Sequence, residues 1–95
     1  MYKRNPLMLA KGFAPAAEVG RALNKSLSTI HRLVNEEHVN GARDGKALYV
    51  DLESLAAHFD GEQNPILAEA ARKLRRAVID EVGGPVSAAP TAGAK

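Results

Sequence analysis

Ninety-five residues, 45% of them apolar and 4% aromatic, suit one small domain with a modest core. There is no cysteine, which excludes disulfides and thiolate metal sites and suits a reducing cytoplasm. The net charge of +2 is uneven: residues 1–50 carry eight Lys/Arg against four acids (+4), and residues 51–95 five against seven (−2), which favours a polyanionic partner for the first half.

The opening "MYKRNPLMLAKGF" holds an apolar run far too short for a signal peptide or a membrane span, so a soluble, intracellular protein is expected. The first predicted helix is "PAAEVGRALN", residues 15–24. Pro15 suits a first helical turn, where its missing N–H costs nothing. Ala16, Val19, Gly20 and Leu23 follow the i, i+3, i+4, i+7 pattern of a buried face. Asn24 tolerates the left-handed conformation that ends helices. Ser26 reads as the N-cap of a second helix, Leu27 to about Glu37. So short a link forces the two helices to meet at a sharp angle, the helix-turn-helix arrangement.

"VNGARDGKALYVD" follows. Asp44-Gly45 signals a type I′ hairpin turn between strands of about 39–43 and 46–50. Leu48 and Val50 alternate with Tyr49 as in a half-exposed strand. Such a ribbon is marginal alone and needs Leu48 and Val50 packed on the helices, with Tyr49 as part of its packing. Asp51 can cap a third helix, "LESLAAHF", whose Leu52, Leu55, Ala56 and Phe59 make an apolar stripe. "DGEQNP" breaks it, and a longer helix runs from about Pro65 to Val82. Ile66, Leu67, Ala70, Ala71, Leu74, Ala77 and Val78 are expected along one side of that helix, with "RKLRR" at 72–76 as a solvated basic face. The end of the chain has few large apolar groups and is expected to be disordered. The division is thus 1–60, the unit that holds the helix-turn-helix and the hairpin; 61–83, an additional C-terminal helix; and 84–95, a tail.

On a wheel of the second helix, Ile30, Leu33 and Val34 fall together and must face the first helix at Val19 and Leu23. Burying each is worth roughly 1.5–3 kcal/mol. That turns Ser28, Arg32 and Asn35 outward as a row, with His31 beside them and Leu27 in the first turn. The row suits the DNA major groove. Arginine pairs bidentately with guanine, asparagine with adenine, and an apolar group can touch a thymine methyl. Ser and Thr near a helix N-terminus can bind phosphate. Arg43 and Lys46 flank the hairpin tip and can reach an adjacent minor groove or its phosphates. The candidate DNA-binding residues are therefore Lys25, Ser26, Leu27, Ser28, Thr29, His31, Arg32, Asn35, Arg43 and Lys46. His38 and His58 read as structural or solvent-facing. The three histidines do not form a metal-ligand spacing with nearby carboxylates. No phosphate loop, nucleophile-base pair or metal cluster is present, so neither an enzyme nor a cofactor is expected.

The line "PAAEVGRALNKSLSTIHRLVNEEHVNGARDGKALYVDLESLAAHF" resembles the winged helix-turn-helix of excisionase-like and MerR-like DNA-binding domains. The resemblance rests on "EVG" at 18–20, "SLSTIHRL" at 26–33, "RDGKALYV" at 43–50 and "DLESL" at 51–55. It covers about half the chain. The chain departs from the family pattern at Ala14, where a capping Thr or Ser is usual, and at Lys25, where an apolar residue is usual. Gly20 replaces Ala, a loss of roughly 1 kcal/mol of helix propensity, and "EEH" ends the second helix where a Gly is common.

The resemblance implies a mainly α fold with a two-stranded β-hairpin wing. It also implies sequence-specific binding of double-stranded DNA by a transcriptional regulator or excisionase-like accessory factor, cytoplasmic and nucleoid-associated. The helix from Pro65 to Val82 either packs on the domain's own core or pairs with a second copy, and a homodimer is the expectation. Two alternatives remain open: an adaptor resembling the small terminase subunits of tailed phages, or an interaction module that keeps the fold without binding DNA.

Overall fold

The computed structural model describes residues 5–83, so the predicted disordered tail at 84–95 lies outside the described residues. The elements in order are α1 (Pro6–Ala10), β1 (Phe13–Pro15), α2 (Ala16–Leu23), α3 (Leu27–Asn35), β2 (Gly41–Asp44), β3 (Ala47–Asp51), α4 (Leu52–Gly61) and α5 (Pro65–Glu81). The protein is mainly helical, with a small antiparallel sheet of order β1-β3-β2. Among the described residues no helix is long and apolar enough to cross a membrane.

Elements α1 and β1 have no counterpart in the sequence reading. Asn5 caps α1 and Pro6 starts it. One buried residue, Leu9, holds this single turn to the core. β1 pairs with β3, Phe13 opposite Asp51 and Pro15 opposite Tyr49. Pro15 therefore belongs to an edge strand and not to the first helical turn as expected. Having no N–H to donate, it is suited to an edge.

α2 buries Ala16, Val19, Gly20 and Leu23, the four residues that its spacing predicts. Asn24 adopts the left-handed conformation (φ 57°, ψ 45°), and the Lys25 N–H then donates to the Gly20 carbonyl at 2.8 Å. A Cβ on Gly20 would lie 2.8 Å from the Lys25 carbonyl oxygen. Glycine here is a requirement of the tight interhelical turn, not merely a weakened alanine. The Ser26 hydroxyl accepts the Thr29 N–H at 3.2 Å and starts α3.

Ile30 is fully buried under α3, with Leu33 and Val34 half-covered beside it. α3 stops at Asn35, two residues earlier than expected. The Glu37 and His38 N–H groups donate to Val34 and Leu33, both at 3.0 Å, with Glu37 in the left-handed region at φ 63°. This is a Schellman closure with glutamate where glycine is usual.

β2 and β3 form the predicted hairpin, but in a different frame. Asp44 pairs with Ala47, so the two-residue turn is Gly45-Lys46 and not Asp44-Gly45. Only Gly45 of these has positive φ, at 63°, which is the pattern of a type II′ turn and not the expected type I′. The expected alternation in β3 is also absent: Leu48, Tyr49 and Val50 are all buried. β3 is the middle strand, and pairing on both sides with helices packed around it leaves neither face open.

The Asp51 carboxylate accepts the Glu53 N–H at 3.1 Å and caps α4, which buries Leu52, Leu55, Ala56 and Phe59 as predicted. α5 packs on α4, α2, α1 and β1. Its buried residues are Ala68, Ala71, Val78 and Ile79, with Leu67, Ala70 and Leu74 half-covered. Ile66 and Ala77, expected in the stripe, are exposed. The covered face is rotated because α5 must meet two neighbours, α4 on one side and α1 with α2 on the other. Ala68, Ala71 and Val78 join the same core as Val19, Ile30 and Leu55.

Candidate nucleic-acid interface

Burial of Ile30 settles how α3 presents its other side. Ser28, Arg32 and Asn35 are exposed, Leu27 is half-exposed in area, and Thr29 and His31 are partly covered. Leu27, Ser28, His31, Arg32 and Asn35, with Glu36, line a shallow concavity along the outer side of α3. Next to it lies a groove of about 460 Å³ between α2, α3 and the β2–β3 hairpin. Its floor is largely apolar, including Ala17, Leu27 and Leu48, and Arg21, His31 and Lys46 line it too. Leu27 and His31 belong to both depressions, so the α3 row and the hairpin tip share one continuous face.

The remaining candidates are spread around that face. Lys25 and Thr29 line a third concavity with Arg32, on the flank toward α4. Arg43 is exposed on β2, opposite Leu48, and lines none of these depressions. The Ser26 hydroxyl lies 2.8 Å from the Thr29 hydroxyl and 3.2 Å from that of Ser28, so these three groups serve the helix cap. Among the described residues, Lys25, Arg32, Arg43 and Lys46 form no ion pair within 4.0 Å. An arginine or lysine without an internal carboxylate keeps its full charge for an external anion.

Arg21 is a residue that the sequence reading passed over. It is exposed in the last turn of α2 and lines the groove together with Glu18 and Lys46. Its position opposite the buried Val19-Leu23 face was legible in the helical period. Which neighbour it would meet was not.

On the α4 flank, the His38 and His58 rings lie 5.5 Å apart at centroids, and His58 meets Phe59 edge-on at 5.2 Å. Each ring nitrogen Nε2 has a glutamate near it, Glu36 at 3.5 Å and Glu62 at 3.6 Å. Among the described residues no group of three or more His, Cys, Asp or Glu side chains is arranged to hold a metal ion. No family model matches the chain, and neither the curated proteins nor the solved structures searched contain a match.

Proposed function

We propose that the protein binds double-stranded DNA sequence-specifically as a winged helix-turn-helix protein, without enzymatic activity. In this reading α3 enters the major groove and the β2–β3 hairpin is the wing on the adjacent minor groove or backbone. The observation that carries it is the shared face: Arg32 and Asn35 stand on the side of α3 opposite buried Ile30, and Lys46 opens onto the same face through Leu27 and His31. A guanidinium and an amide one helical turn apart can read guanine and adenine edges. Lys46 and Arg21 suit phosphates of the strand passing between α3 and the wing.

The role follows the resemblance: a regulator or excisionase-like accessory factor in a nucleoid-associated setting. Pairing of two copies through α5 has little apolar surface left to use, since most of its large side chains pack on the protein's own core and only Ile66 stands well exposed.

Titration of labelled random and genomic duplexes across salt concentrations tests the reading. Affinity is expected to fall steeply with salt. Arg32→Ala should flatten sequence preference, whereas Lys46→Ala should weaken all duplexes alike and lower the salt slope by about 1. No duplex binding at low salt would remove the proposal.

A further inference from the structure

Of the hairpin that carries Arg43 and Lys46, β3 is anchored in the sheet and core, whereas the β2 arm and the tip stand largely free. In β2, an edge strand, only Ala42 is even partly covered. Contacts at the base and at the tip fix the hairpin's attitude, the base also through the Asn40 N–H donating to Ser54 Oγ at 2.9 Å. At the base, α3 packs directly on the strand: a Cβ on Gly41 would lie 2.9 Å from Val34 Cγ1 and 3.1 Å from the Tyr49 carbonyl oxygen. At the tip, the tie comes from the other end of the chain. The Asn5 side-chain amide donates from Nδ2 to Asp44 Oδ2 at 3.0 Å, across 39 residues. Its backbone N–H donates to the Tyr49 hydroxyl at 2.8 Å, across 44.

Each polar group of Asn5 is engaged. Its Oδ1 accepts the Leu7 N–H at 2.9 Å and caps α1, and its carbonyl accepts from Met8 and Leu9, both at 3.1 Å. α1 in turn is held by buried Leu9 and packs on β1 and α5. A line of contacts thus runs from the core through α1 and Asn5 to Asp44, the residue directly before the Gly45-Lys46 turn.

We propose that Asn5 is a positioning residue for the hairpin tip. α1 acts as a strap, and the Asn5–Asp44 bond holds Lys46 over the groove that it shares with Leu27 and His31. The bond also engages the one carboxylate between the two basic residues of the tip. The consequence for binding rests on the DNA reading above; the mechanical consequence does not.

The test is a charge-conserving swap in the full chain. Asn5→Asp keeps the cap, because aspartate caps helices as well as asparagine does. It removes the Nδ2 donor and sets a second carboxylate against Asp44. The double variant Asn5→Asp/Asp44→Asn returns a donor and an acceptor in reversed order at the wild-type net charge. Heteronuclear NOEs of the Gly45 and Lys46 amides in the free protein report the order of the tip, and anisotropy with a labelled duplex reports affinity.

Asn5→Asp is expected to lower both NOEs and to weaken binding about threefold to tenfold, the worth of one hydrogen bond. The double variant is expected to restore both. Unchanged NOEs in Asn5→Asp, or a double variant as disordered at the tip as the single one, would overturn the strap. Restored NOEs in a protein that binds no duplex would support the strap and overturn the DNA reading alone.

Discussion

Two surfaces of this molecule are rich in cations, and they differ in what their cations touch. On α5, Arg72 pairs with Asp60 and lies 4.0 Å from Glu69, while Arg76 meets Glu69 at 3.2 Å. On α3 and the hairpin, Lys25, Arg32, Arg43 and Lys46 have no such partners among the described residues. The run "RKLRR" is the denser basic stretch in the sequence, yet two of its four cations, Arg72 and Arg76, are paired, and Arg75 is half-buried instead of on the solvated face expected of the run. Affinity for a polyanion comes from phosphate charge that the protein neutralises, and an arginine already paired has less to offer. Availability of charge, not its density along the chain, separates a candidate interface from a solvated face.

The strongest way to break the comparison is to remove what orients the free surface. Ile30 is fully buried and Ile66 is 80% exposed, so the same truncation should act very differently. Ile30→Ala is expected to cost about 2–5 kcal/mol in urea unfolding, and Ile66→Ala to stay within about 0.5 kcal/mol. Similar costs would mean that α3 is not docked through Ile30.

A direct contrast of the two surfaces comes next. Arg32→Ala/Arg43→Ala/Lys46→Ala should lower duplex affinity about 100-fold at low salt, whereas Arg72→Ala/Arg76→Ala should change it less than about threefold. Equal losses in fluorescence anisotropy would erase the distinction. The smallest effect sharpens it: Asp60→Asn/Glu69→Gln frees the α5 arginines, and non-specific duplex affinity should rise about twofold to threefold. No rise would show that these pairs do not limit the charge on α5. Stability should change little, since exposed pairs are worth about 0–1 kcal/mol each.

Much of the candidate face was readable before any coordinates. The caps Ser26 and Asp51, the left-handed Asn24 and the apolar positions of α2 and α4 all act within a few residues of one another, so local spacing carries them. The misreadings come from long-range packing, except at α1. Tyr49 is buried because β1, 34 residues upstream, pairs with its strand. α1 is a single turn, too short to show a period, although Asn5-Pro6 is a cap signal. The turn frame at Gly45-Lys46 depends on strand register, and the covered side of α5 depends on which helices it meets.

The chain's own residue order determined that α2 to α5 are helical, where α2 and α4 begin their buried faces, and that Ile30 and Arg32 must point to opposite sides. Those are consequences of the helical period and of hydrogen bonds that close within one turn. Tertiary structure alone decided that Lys46 and Arg21 lie beside α3, that α5 keeps its apolar face for its own core, and that Asn5 reaches Asp44. Each of these joins groups far apart in the chain, and only packing of the whole core brings such groups within bonding distance.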